Sequence, residues 1–266
     1  MSNYVLTADA LLYAAAVAGV RSFTGLPNVF GGQTDKERRQ TITSAKEELS
    51  AAGLLSMDFD GNEAIDSQLL DEIKKCAWAR QITGYDLKEA DGNKISYTFF
   101  LNMEGQTGFL TSDSGEEGKY CLEGLNEESV KDIFKKKIAF NGENAGISEF
   151  VVDNLDVTRA DKEKLLAAGA SNELVELIMA SIAGGGSALT MRRFVNHVED
   201  ISYVLLFNDK ATVKMDILYE DGIEKAKLTP VSAEEAYDMI NSLLKESDFE
   251  PYIEDEQNLY DEDDFR

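Results

Sequence analysis

Residues 192–198 read Arg-Arg-Phe-Val-Asn-His-Val and hold the chain's only histidine, His197. One imidazole could act as a general base or as a single metal ligand, but either role needs partners, and no nucleophile motif accompanies it. With one histidine, multi-histidine metal sites are excluded. No phosphate-binding GxxxxGK[ST], no HExxH and no nucleophile elbow occurs. Gly184-Gly185-Gly186 has the composition of a phosphate cradle. It follows a helical pattern and precedes a strand pattern, however, the reverse of the order a cradle needs. Asp58, Asp60, Asn62 and Asp66 offer calcium-type oxygens, but Gly61 stands at the wrong position and no bidentate Glu follows at EF-hand spacing. Asp60-Gly61-Asn62 therefore reads as a hairpin turn. Cys76 and Cys121 lack metal-ligand spacing and read as reduced core residues. The expectation is a non-enzymatic protein with no cofactor and no metal.

The 266 residues carry 50 acids against 26 bases, a net charge of −24. Such a surface repels phosphate backbones and anionic membranes, so nucleic acid and lipid headgroups are poor partners. Residues 248–266 contribute nine acids and only Arg266, leaving the rest of the chain at −16. Phe249, Tyr252, Tyr260 and Phe265 interrupt those acids. This tail reads as disordered and solubilising; the alternative is a segment that docks on a partner or covers the protein's own binding surface. The N-terminus has no basic region before its short apolar run, and no stretch reaches membrane-spanning length. A cytoplasmic location follows as an expectation.

The elements that would position these residues come from periodicity and caps. Thr7 caps a helix using Leu11, Leu12, Ala15 and Val17. Thr34 or Asp35 starts a polar helix that Gly53 stops. A short hairpin spans Leu54–Ile65, and Asp66 caps a helix through Leu69, Leu70, Ile73 and Ala77. Helix, helix, hairpin, helix is a winged-helix-like order. Residues 81–124 then alternate with period two, with a strand at Ile95–Met103 joined through Glu104-Gly105 to Gln106–Ser112. Asn126 starts a helix. Further helices are expected at roughly 148–156 and 159–182, the second broken at Ala168-Gly169. Strands follow at 188–196, with His197 in the strand region ahead of a turn, and at 201–208, 211–220 and 223–229. Ser232 caps the last helix.

The chain also repeats itself. Ile95-Ser96-Tyr97 returns as Ile201-Ser202-Tyr203, 106 residues later, and Asn102, Lys119, Leu122, Glu128 and Asp132 return as Asn208, Lys225, Leu228, Glu234 and Asp238. Apolar positions keep phase between the identities. Leu49–Gly53 is echoed by Leu165–Gly169, with the hairpin missing from the second copy. The reading is an α+β fold built from a quasi-twofold duplicated unit (helices, antiparallel strand meander, helix) around a central twisted antiparallel sheet. The halves are residues 1–140 and 141–247, followed by the tail at 248–266. Whether the two half-sheets join or pack is left open by the repeat itself.

The segment Ala45–Leu55, the glycine-containing turn at Asp60–Asp66, the helix around Leu69-Leu70-Asp71-Glu72-Ile73 and the duplicated meander resemble the EspG-like export chaperones of type VII (ESX) secretion systems, including Firmicutes relatives. The resemblance is one of order and pattern and runs to about residue 247. It implies a chaperone or adaptor that holds the exposed apolar tip of a helical-hairpin client, LXG or WXG-like, before export. It also implies that the loop between the second and third strands meets the client, here Asn102-Met103-Glu104-Gly105-Gln106; its repeat equivalent is Asn208–Ala211. A plain hairpin turn is the other reading of that loop. The competing reading of the whole chain is a winged-helix regulatory protein or acidic DNA mimic, against which stands the sparse basic set Lys36, Arg38, Arg39 and Lys46.

Overall fold

The computed structural model describes residues 3–20, 23–57, 59, 62–220 and 222–250. The chain opens with β1 (Asn3–Thr7), and Thr7 caps α1 (Ala8–Val17) by accepting from the Ala10 N–H. Thr34 and Glu37 form a capping box at the start of α2 (Asp35–Ala51). The hairpin of β2 (Leu55–Met57) and β3 (Glu63–Ile65) leads to α3 (Ser67–Ala77), capped by Asp66. A meander follows: β4 (Ala79–Lys88), β5 (Lys94–Asn102), β6 (Thr107–Thr111) and β7 (Lys119–Glu123), closed by α4 (Glu127–Lys137). The chain continues with β8 (Phe150–Asp153), α5 (Asn154–Thr158), α6 (Lys162–Ala167), α7 (Asn172–Ala183), β9 (Ser187–Val195), β10 (Val198–Phe207), β11 (Thr212–Glu220), β12 (Ile223–Pro230) and α8 (Ala233–Leu244).

Ten strands make one antiparallel sheet in the order β1-β7-β6-β5-β4-β9-β10-β11-β12-β8. The meanders β4–β7 and β9–β12 therefore join edge to edge through β4 and β9. At that seam Tyr85 lies opposite Met191, the residue 106 positions further on. Tyr85 also faces Tyr97 across β4–β5, as Met191 faces Tyr203 across β9–β10. At the two outer edges, Thr7 of β1 lies opposite Lys119 and Asp153 of β8 opposite Lys225. Each of these edge residues also caps the helix that follows it, α1 and α5 respectively.

Period-two alternation sends side chains to two faces. One face packs Tyr85, Tyr97, Phe99, Phe109 and Leu205 against Phe134 of α4 and Ile240 of α8. Tyr85 and Tyr97 both meet the Phe134 ring, at centroid distances of 4.5 and 5.2 Å. The opposite face is shared by two helical groups. Leu11, Leu49, Leu69 and Ile73 cover Ile82, Phe100, Leu110 and Leu122, while Leu165, Leu174 and Ile178 cover Leu206, Val213 and Leu228.

Three expectations are corrected. The stretch 148–156 is not a helix: Phe150–Asp153 is a strand, because Val151 and Val152 pair with the open side of β12, and only residues from Asn154 onward are helical. The following helix begins at Lys162 rather than at 159, after a turn in which Ala160 takes φ +51°; its break falls where expected, at Ala168-Gly169, with Gly169 at φ +97° between α6 and α7. His197 is in no strand. With Asn196 it forms the two-residue turn between β9 and β10, both residues with positive φ (+67° and +48°), as tight hairpins require. The strand β1 had no counterpart in the sequence reading. Residues 251–266 of the acidic tail lie outside the described residues, as do Asp58, Asp60 and Gly61 of the hairpin turn.

Candidate functional site

The β5–β6 turn is held by one side chain. Asn102 Oδ1 accepts from the N–H groups of Glu104 and Gln106, both at 2.9 Å, and Asn102 Nδ2 donates to Gln106 Oε1 at 3.1 Å. Gly105 supplies the positive φ of +74° that closes the loop. Met103, at the start of the turn, is 85% exposed.

Beside it stands a residue the sequence reading did not single out. Trp78, the chain's only tryptophan, is the C-cap of α3 and is 67% exposed. Its position follows from how α3 sits. Leu69, Ile73 and Cys76 are all buried against the sheet. The last turn comes so close to β6 that a Cβ on Gly108 would lie 2.4 Å from Cys76 Sγ. Glycine at 108 thus lets the end of α3 rest on the sheet, which sets Trp78 over the end of β4 next to the Met103 turn. Together with Asp71, Lys74, Lys75, Glu104 and Gln106 they line an open groove of about 460 Å³. Lys75 pairs with Glu72 at 2.7 Å.

The β10–β11 turn is built by the same device and used differently. Asn208 Oδ1 accepts from the N–H groups of Lys210 and Ala211 at 2.8 and 2.9 Å. The segment between α4 and β8 then seals it: Asn141 Nδ2 donates to the Asp209 carbonyl at 2.6 Å, and Asn144 bonds the Thr212 N–H and the Val231 carbonyl. Where the first half has Trp78 and Met103, residues 106 further on are Gly184 and Asp209. The two ends are unequal in chemistry as well as in access.

Groups with reactive side chains sit elsewhere. His197 is exposed at its turn. Burial pushes the Cys76 thiol up, and burial with a hydrogen bond to Glu123 pushes Cys121 up to about 12, so neither is a ready thiolate. Among the described residues no cluster of three or more His, Cys, Asp or Glu could hold a metal ion. No helix among them is long and apolar enough to cross a membrane. Each residue of the 102–106 loop is thus in one turn, while Trp78 joins it through the fold.

No family model matches the chain, and no curated protein does. Among solved structures it is similar to a chain in the complex of the Mycobacterium tuberculosis type VII secretion system chaperone EspG5 with the PE25–PPE41 dimer. The TM-score is 0.56 at 10% identity, over 91% of this chain and 94% of the other. At that identity the likeness is one of fold.

Proposed function

We propose that this protein is a non-enzymatic chaperone or adaptor of a type VII secretion route, working in the cytoplasm. It would hold the apolar tip of a helical-hairpin client of LXG or WXG type in the groove formed by Trp78 and the Asn102–Gln106 turn. The observation that carries the reading is the exposed Trp78–Met103 pair beside one groove, in a chain of net charge −24. Tryptophan and methionine together suit the capture of an apolar partner: the indole supplies a rigid anchor and the thioether adapts to the opposing surface. The whole-length fold likeness to a chain from the EspG5 complex supports the assignment. So does the sealing of the second turn, which leaves one end free to specialise. In this reading residues 1–140 and 141–247 are two copies of one ancestral unit. The winged-helix-like set α1, α2, β2–β3 and α3 serves to seat Trp78 rather than to read DNA. Its Lys46 is already engaged by Glu63 at 2.6 Å.

The test is co-purification from the native host with mass spectrometry, run in parallel on wild type, Met103→Asp and Trp78→Ala. A helical protein captured by wild type and lost from both variants is the expected result. A proven client held equally by all three would remove the groove from the proposal.

A further inference from the structure

Residues 106 positions apart frame two places at opposite ends of the sheet, one filled by the protein's own chain and one open. At the filled place the chain beyond α8 crosses the start of β4. Gln81 Nε2 donates to the carbonyls of Leu243 and Lys245 at 3.2 and 2.9 Å, and its Oε1 accepts from the Ser247 N–H at 2.9 Å. Asp200 completes the seat, accepting from Arg193 Nε at 2.7 Å and from Ser247 Oγ at 2.8 Å. The residues 106 positions from Gln81, Arg193 and Leu243 are Ser187, Leu87 and Lys137. These three line a cavity of about 640 Å³ beyond the far end of β4. Serine is too short to hold a crossing chain as Gln81 does. After α4 the chain turns off through Phe140, whose ring packs on Phe207 and Tyr237 at 4.9 and 5.0 Å. The ten residues of β4 put about 30 Å between this cavity and the Trp78–Met103 groove.

The floor of the cavity is apolar: Leu87, Ile138 and Phe207 are all buried. Its rim is acidic, with Glu89 half-buried and Asp91 and Asp209 exposed. Glu89 accepts from Asn93 Nδ2 at 2.8 Å and Asp91 from the Asn93 N–H at 2.9 Å, both neutral donors. Lys137, the cation among the described lining residues, pairs with Asp113. Three carboxylates on the lining are thereby left without a countercharge. The walls are fixed before anything binds. The Gly185 N–H bonds the Ala90 carbonyl at 3.0 Å, and Lys88 Nζ holds the end of α7 through the Ser181 and Ile182 carbonyls at 3.1 and 2.7 Å.

We infer that this cavity is a docking site for an extended segment of another protein, one in which an aliphatic residue lies between basic ones. The filled place at the other end shows that an extended segment suits such a seat. The apolar floor selects the aliphatic side chain, and the three carboxylates select its Lys or Arg neighbours. The same charges repel the protein's own residues 248–266, which carry nine acids. The site is independent of the client groove, and both can be filled at once.

The probe is the peptide acetyl-Lys-Arg-Leu-Arg-Lys-amide, titrated into the isotope-labelled full chain and followed by backbone amide shifts. The shifts should concentrate at residues 89–91, 185–187 and 207–209. Asp91→Asn/Asp209→Asn should weaken binding about three- to ten-fold at an unchanged thermal unfolding midpoint, and Met103→Asp should leave it as in wild type. Two further peptides separate the two halves of the recognition. Equal binding of acetyl-Lys-Arg-Gly-Arg-Lys-amide overturns the inference, since charge attraction alone then accounts for the shifts. Equal binding of acetyl-Glu-Glu-Leu-Glu-Glu-amide overturns it from the other side. So do shifts that fall elsewhere, or none up to about 5 mM peptide. If the same amides move with protein concentration alone, the cavity belongs to a second copy and the inference is likewise overturned.

Discussion

Replacing Gly108 by alanine tests the packing that places Trp78. The added Cβ would stand 2.4 Å from Cys76 Sγ, about 1 Å inside the shortest ordinary van der Waals contact of 3.4 Å. Neither side can yield easily. Gly108 is held in the β5–β6 ladder opposite Phe100, which is itself buried, and Cys76 shares its helix with Leu69 and Ile73, both fully buried. Overpacking of this kind costs about 1–3 kcal/mol. Cys76→Ala alone leaves a small void and costs about 1 kcal/mol. In the double variant the new methyl takes up space the sulfur has vacated, so the two losses do not add. The coupling should be about 1–3 kcal/mol in the favourable direction. Urea unfolding of the four proteins, followed by circular dichroism, gives the cycle, and Trp78 emission in native conditions reports whether α3 has lifted. Additive losses, or a Gly108→Ala protein as stable as wild type, would refute the claim that this contact seats the helix.

Asp200→Ala should destabilise by about 3–5 kcal/mol, since it strands the Arg193 guanidinium at 8% exposure; chemical unfolding measures this, and Asp200→Asn, which keeps an acceptor, should lose less. Met103→Asp should leave unfolding free energy within about 0.5 kcal/mol of wild type while abolishing client capture, because Met103 buries almost nothing in the fold. Hydrogen bonds from the Ser232 N–H and hydroxyl hold the Glu235 carboxyl below its usual value. A depressed carboxylate contributes stability that is full above its unfolded pKa and is lost as pH falls through the folded one. Thermal melts of wild type and Glu235→Gln should therefore differ at neutral pH and converge on acidification; a gap that widens toward acid would contradict the capping box. Ser232→Ala should cost about 1 kcal/mol at neutral pH, read from the same melts.

Local signals carried much of the architecture. Thr7, Thr34, Asp66, Asn126 and Ser232 each cap the helix their sequence marks, because a cap acts over three residues and needs no distant partner. Strands β9 to β12 lie within a few residues of β4 to β7 displaced by 106 positions. What could not be read depends on remote neighbours. Phe150–Asp153 becomes a strand only because β12, over 70 residues later, offers an open side. The β1 strand likewise needs β7. Trp78 would be taken for a core residue on composition alone. Its exposure follows from the seat of α3 on Gly108, a contact between residues 32 positions apart. The loop 102–106 was legible as a turn because Asn and Gly dictate it, whereas its pairing with Trp78 was not.

The seam between β4 and β9 has a consequence for synthesis. Strands β5 to β7 and helix α4 follow β4 closely and can assemble on it as the chain emerges. The other side of β4 must wait for β9, roughly a hundred residues later. At ~5–20 residues per second, that is about 5–20 s during which a long strand stands with one ladder unpaired on the ribosome. A nascent chain in that interval is open to pairing with a neighbour on the same message. The protein thus passes through its own period of exposure before it is complete. Slowed translation between residues 90 and 190 should lower the yield of folded protein more than the same delay placed after residue 200.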